Sequence, residues 1–455
     1  MNIVKHFRIS LIVLWSALVL GHAPSALAAP AVVGDSGPRT DSAALEHWTD
    51  LRFGIMFHWS PAVLRNQEIS WSMSNRAKYE AVYARFNPKH FDADAWINIA
   101  TQANAHYVVY VCKHHDGFCM WDTDTTSNNI MHTPFKRDVV AELAVAAQRQ
   151  NLFFGTYLSI MDIHEANWNR CYAARTEMPG YPEGIPHIED ITARQTLELL
   201  KKYHSQLMWY DGAWLQGWRT SSSPARVMAQ IKAYNPQVLI TRLGNQVDDF
   251  GSMEAKIGAY RATPWEMVTS TAYPTYSWND HIKFKSAGYF LQILSRVACG
   301  NGNLLLNFVP DADGAICPEQ QGLARGIGGW LATNGAAIFG TRGGPWYPNN
   351  WGGSTRTGKT IYLHLLPDAP DHLVLPACGA KVMASKVLGG GDVTVTETAA
   401  GLELTVPPAS RNPAVTVIEL AMDTEVPGMI EASKPQNAVI KKSDLVPPPA
   451  EEIKK

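Results

Sequence analysis

The stretch "YVVYVCKHHDGFCMW", Tyr107 to Trp121, is apolar on both faces through Cys112 and then delivers Lys113, His114, His115, Asp116 and Gly117 in succession. A strand without a polar face is covered on both sides, which is the pattern of a parallel sheet between helices. Working outward, the same run recurs in "RFGIMFHW" (Arg52 to Trp59), "LFFGTYLS" (Leu152 to Ser159), "LMWYDG" (Leu207 to Gly212) and "VLITR" (Val238 to Arg242). The intervening "DADAWINIATQAN" and "RDVVAELAVAAQRQN" carry apolar residues at helical spacing, each just before a strand. An open doubly wound sheet and a closed barrel both satisfy this rhythm. The polar residues separate them: His58, His114, His115, Tyr157, Asp211 and Arg242 fall at or just past the C-terminal ends of several different strands, where a barrel gathers its site. No Gly-rich phosphate turn follows the first strand, so the nucleotide-binding alternative lacks its main support. The fold expected is α/β, a (β/α)8-like TIM barrel.

From about Thr355 the pattern becomes alternating, as in "KTIYLHLL" and "GDVTVTETAAGLELTVP", between Gly, Pro and Asp turns, so a small antiparallel β-sandwich follows the barrel. At the other end Lys5 and Arg8 precede the apolar Ile9–Leu20, and Ala26-Leu27-Ala28 offers a small-residue cleavage site. The expected organisation is a signal peptide over 1–28, the barrel over 29–350, the β-sandwich over 351–423 and a flexible tail over 424–455. The mature chain is then exported, to the periplasm or the medium, and no run approaches the roughly 20 apolar residues of a membrane span. The six cysteines are scattered without a C-x-x-C pair, so zinc-ribbon spacing is absent.

A formal net charge of −2 excludes a polyphosphate partner, which needs a concentrated surplus of Lys and Arg. Fifteen Trp and 16 Tyr, many beside polar residues, suit a sugar, whose ring has an apolar face and a hydroxyl rim. Asp211, leaving an apolar strand between Trp209 and Trp214, is the candidate catalytic carboxylate, to attack the anomeric carbon or direct water. Glycoside hydrolysis needs a second carboxyl group to protonate the leaving oxygen, and two glutamates compete. Glu266, beside Trp265, has the aromatic neighbour that raises a carboxyl pKa, whereas Glu254 lies in a loop-like stretch. The histidines raise a rival reading, a metal-dependent barrel hydrolase using His58, His114, His115 and His164 with Asp116 or Glu165. Adjacent strand residues point to opposite faces, however, so His114 and His115 cannot share one ion unless the chain bends, and neither a metal nor any cofactor is expected.

The blocks "RFGIMFHW", "KHHDGFCMWDT", "RDVVAEL", "FFGTYLS", "WYDG", "GNGNLLLNFVPDADG" and "GGWLATNGAAIFGTR" resemble, in order, those of the family 29 α-L-fucosidases, from about residue 45 to 345. That resemblance implies a retaining hydrolase acting through a covalent glycosyl-enzyme, with Asp211 as nucleophile. It places His58, His114, His115, Tyr157, Trp209 and Arg242 around fucose, the paired histidines contacting its hydroxyl groups. Glu68 looks like the family's glutamate near a tryptophan, here Trp71, and Trp278 sits where many members have Trp-Gly-Tyr. "GSMEAKIG" is similar to the stretch that carries the general acid in several members, which ranks Glu254 first and Glu266 second. A fucosylated oligosaccharide or glycoconjugate is the implied substrate. A fucose-binding protein that has lost turnover is the alternative on the same barrel. Phe53, Met56, Phe118 and Phe308 are candidates to line a niche for the methyl group of a 6-deoxy sugar.

Overall fold

The computed structural model describes residues 42–66, 81–162, 164, 184–244, 247–257, 259–273 and 275–434. The expected signal peptide lies outside these residues. Apolar runs of the kind read above become the parallel strands β1 (Phe53–Phe57), β2 (Tyr107–Lys113), β3 (Phe153–Ser159), β4 (Leu207–Asp211) and β5 (Leu239–Thr241). The barrel continues through β6 (Gly251–Glu254) and β7 (Trp265–Ser270); a short hairpin, β8 (Ala272–Tyr273) with β9 (Lys283–Phe284), then precedes β10 (Gly302–Phe308). The eight-stranded sheet runs β5-β4-β3-β2-β1-β10-β7-β6, with every pairing parallel. The stretch around Glu254, read as loop-like, is therefore strand.

Side chains alternate between two cores, as the pleat requires. Met56, Val109, Tyr157, Leu207, Trp209 and Leu305 fill the barrel interior. Phe53, Val108, Leu158, Met208 and Leu306 point outward into the layer between strands and helices. The helices that complete this layer start at side-chain caps: Asp92 accepts from Ala95 N, Asp138 from Ala141 N and Ser286 from Tyr289 N, each satisfying an amide that the helix leaves open.

Between β5 and β6 the described residues form no ladder, and side chains close the seam instead. Asp249 Oδ2 accepts from Ile240 N (2.8 Å) and pairs with the buried Lys232 (3.0 Å), while Asp249 N donates to Ile240 O (2.8 Å). Thr241 Oγ1 adds a bond to Phe250 O at 2.9 Å.

The C-terminal part holds a five-stranded and a three-stranded sheet, the sandwich expected, around Trp346, Ile361, Leu363, Leu404 and Leu420. Tyr362, Val415 and Val417 join the barrel's outer core, and Trp330 Nε1 donates to Val415 O (3.0 Å) across the junction. The expected tail begins with a docked stretch: Val426 is buried, and Ile430 N donates to Pro345 O (2.9 Å). Among the described residues, no helix is long and apolar enough to cross a membrane.

Candidate active site

Asp211 is the last residue of β4, on the same inward face as Leu207 and Trp209. Gly212 follows with φ 81°, where a Cβ would lie 2.7 Å from Met161 Cγ, so only glycine lets the chain turn away here. Three donors fix the carboxylate: Tyr157 Oη to Oδ2 (2.6 Å), and Arg242 Nη2 (2.9 Å) and Gly212 N (3.0 Å) to Oδ1. Burial and the adjacent Asp211 push the Tyr157 phenol well up, so it stays a donor. Arg242, just past β5, adopts φ 59°, a conformation that non-glycine residues enter at a cost. This turns its guanidinium over the Trp209 ring (4.5 Å to the centroid) and onto Asp211. Trp209 in turn stacks on Tyr157, 5.1 Å between centroids.

The paired histidines both reach the mouth because the chain bends. β2 ends at Lys113, and a turn through Asp116 and Gly117 (φ 75°) follows, bringing the His114 and His115 rings to 4.2 Å of each other. The opposite-face argument fails because neither residue is in the strand. Lys113 pairs with Asp162 (3.7 Å) and Asp116 Oδ1 accepts from Phe118 N (3.1 Å), bracing that turn. A Cβ on Gly117 would strike the Asp162 carboxylate at 1.9 Å. His114 stacks parallel to Tyr157, at 5.6 Å and 4°.

Hydrogen bonding settles two tautomers. Asn307 Nδ2 donates to Ser270 Oγ and Tyr276 O (3.1 Å each), so its Oδ1, 2.7 Å from His58 Nδ1, accepts from the imidazole. Ser159 Oγ donates to Met161 O (2.8 Å) and accordingly accepts from His115 Nδ1 (2.6 Å). Burial holds both histidines down at about 4, hence neutral at physiological pH. Each thus carries its proton on Nδ1 and leaves Nε2 unprotonated, able to accept from a hydroxyl group; that of His115 is 3.6 Å from Asp211 Oδ2.

The two glutamates part company. Glu254 ends β6 at the barrel mouth, 54% exposed, its Oε2 4.0 Å from Arg242 Nη1. One guanidinium therefore reaches both Asp211 and Glu254. Glu266 is the second residue of β7, at the N-terminal end of its strand and so inside the barrel, fully buried. Its Oε1 accepts from Trp209 Nε1 and its Oε2 lies against Tyr107 Oη, both at 2.8 Å. Burial pushes its carboxyl up to about 7 against these bonds.

Trp278 is half-buried against the outer core, and Glu68 and Trp71 lie outside the described residues. Of the methyl-niche candidates, Met56 shares the interior with Tyr157 and Trp209, whereas Phe53, Phe118 and Phe308 belong to the outer core. His114, His115 and Asp211 bring ligand atoms within 4.8 Å of one another, but the Arg242 guanidinium already supplies the positive charge at that carboxylate. Asn307, Ser159 and Tyr276 (ring 5.6 Å from His58) complete the site and were missed in the sequence. A signal for Asn307 existed: a polar residue inside the apolar strand "NLLLNF" needs a partner.

Carboxylates at strand ends, neutral hydroxyl acceptors and aromatic walls in a (β/α)8 barrel mark a glycoside hydrolase. The model of the family "Alpha-L-fucosidase" matches residues 28–336, and the chain belongs to that family. An α-L-fucosidase from Dictyostelium discoideum is 24% identical over 432 residues, covering 84% of this chain and 90% of that protein. Among solved structures, α-L-fucosidase isoenzyme 1 from Paenibacillus thiaminolyticus superposes with a TM-score of 0.73 at 25% identity, over 84% of this chain and 99% of that one. A family 29 α-L-fucosidase from Bacteroides thetaiotaomicron, trapped as a covalent intermediate with 2-fluoro-fucosyl fluoride, gives a TM-score of 0.76 at 23% identity, over 86% of this chain and 98% of that one.

Proposed function

We propose that this chain is an exported, retaining exo-α-L-fucosidase in which Asp211 is the nucleophile and Glu254 the acid/base. The observation that carries the reading is the shared guanidinium: Arg242 bonds Asp211 at 2.9 Å and stands 4.0 Å from Glu254. Asp211 attacks the anomeric carbon while Glu254 gives its proton to the departing glycosidic oxygen, leaving fucose esterified to Asp211. Glu254, now ionised, takes a proton from water as that water attacks the same carbon, which frees Asp211 and restores the α configuration. The unprotonated Nε2 atoms of His58 and His115 accept from sugar hydroxyl groups, and Met56, which shares the interior with Tyr157 and Trp209, is the candidate to meet the methyl group.

Glu266 acts from beneath, by holding Trp209. The substrate is a terminal α-L-fucosyl residue of an oligosaccharide or glycoconjugate. Export rests on the N-terminal sequence; protein retained in the cytoplasm with residues 1–28 uncleaved would count against it.

The test is proton NMR of 4-nitrophenyl α-L-fucoside with the mature protein and with Asp211→Asn. Initial release of α-fucose, abolished in the variant, is expected. Initial β-fucose would overturn retention, and a folded wild type that binds fucose without turnover would favour the binding-protein alternative.

A further inference from the structure

Trp214, in the turn just past Gly212, is 47% exposed. Its loop is anchored: Leu215 N donates to Gly212 O (3.2 Å), Leu215 and Trp218 are buried, and Trp218 Nε1 donates to Leu243 O (2.8 Å). The indole meets His115 edge to face, with centroids 5.3 Å apart and planes at 85°, and His115 Nε2 is 3.6 Å from Asp211. An exposed aromatic held at fixed orientation thus stands one ring away from the reacting carboxylate.

The rings that enclose the fucosyl unit in the proposed function, His58, His114, His115 and Tyr157, are all buried. Trp214 lies outside that enclosure, so what reaches it is the part of the substrate that projects beyond fucose. Among the described residues the other exposed large hydrophobics are Val145 and Tyr234, on helices, and Val374 and Met383, in the β-sandwich. Among the described residues the mouth therefore offers one exposed flat ring and not an extended apolar groove, a surface sized for a single pyranose and unsuited to an acyl chain.

We propose that Trp214 is the platform for the leaving group, the C–H face of the sugar joined to fucose lying on its indole. This rests on the fucosidase reading of the same site. The experiment compares kcat/KM of wild type, Trp214→Ala and Trp214→Phe on fucosyl-galactose and fucosyl-N-acetylglucosamine disaccharides with that on α-L-fucosyl fluoride, whose leaving group has no ring. The ratio of disaccharide to fluoride is expected to fall about tenfold in Trp214→Ala, the scale of one aromatic contact, and to recover mostly in Trp214→Phe. An unchanged ratio, including an equal loss on both substrates, overturns the proposal. Wild type that cleaves the fluoride but neither disaccharide overturns it while the fucosidase reading stands; cleavage of neither removes both.

Discussion

Replacing Glu266 by Gln separates an interior support from a catalytic acid. Ionised, the carboxylate accepts from Trp209 at Oε1 and from Tyr107 Oη at Oε2; below about pH 7 it is mostly protonated, and the acid proton can then go to Tyr107, whose own hydroxyl has Leu304 O at 3.4 Å to turn to. Gln reproduces this arrangement, with its amide NH2 in place of the acid proton. A carboxyl that titrates at about 7 in the fold and at 4.5 when free binds its proton more tightly in the native state. Its contribution is therefore present in full below pH 4.5 and is lost as pH rises to 7. The loss totals about 3 kcal/mol, one pKa unit being about 1.4 kcal/mol. Thermal midpoints of wild type and Glu266→Gln, followed from about pH 5 to about pH 8, should diverge in favour of Gln and level off above pH 7. Turnover of the variant should stay within a few-fold of wild type at mildly acid pH. A gap independent of pH, or a loss of activity as deep as that of Glu254→Gln, would refute the reasoning.

Glu254→Gln should lower kcat on a fucosyl disaccharide by about 10²–10⁴-fold, and on α-L-fucosyl fluoride, whose departing fluoride needs no proton, added azide should speed turnover by forming α-fucosyl azide; no azide effect on the fluoride would argue against Glu254 as acid/base. Because burial holds His58 and His115 at about 4, kcat/KM should decline only as pH falls toward 4, and an acid limb near 6.5 would contradict the neutral tautomers. Asn307→Asp should move that limb upward, since a carboxylate beside His58 Nδ1 favours imidazolium; pH profiles of the two proteins check it. Dialysis against EDTA should leave kcat unchanged, since Arg242 already neutralises Asp211; a loss reversed by a divalent ion would revive the metal reading.

Much of the barrel was legible because β1 to β5 are long apolar runs that end in polar residues, and that ending pointed to Asp211, Tyr157 and both histidines. β6 was not legible, because "GSME" is short and largely exposed and shows neither a buried run nor a clean alternation. The choice between Glu254 and Glu266 turned on this gap. Burial does raise the carboxyl of Glu266, against the bonds from Trp209 and Tyr107 and without Trp265, which faces the outer core; but whether a residue begins or ends its strand decides which end of the barrel it occupies, and that needs the strand boundaries. Whether His114 and His115 face the same way hung on the same boundaries: they would point apart unless the chain bends, and it bends, since β2 stops at Lys113. Asn307 and Ser159 act on histidines far away in sequence: β10 must close onto β1 to bring Asn307 to His58, and β3 must pair with β2 to bring Ser159 to His115.

The unladdered seam has a consequence for how such a site can diverge. β4 is hydrogen-bonded on both sides, to β3 and β5, so Asp211 moves only if two registers move with it, and a one-residue slip would turn it out of the barrel. Glu254 sits on β6, which is laddered to β7 alone. Residues gained or lost between Gly244 and Asp248 leave every strand pairing, and the seam bonds of Asp249 and Phe250, in place. The proposed nucleophile is thus fixed with the sheet, whereas the proposed proton donor rides on a hem whose length can be retailored for a new leaving group.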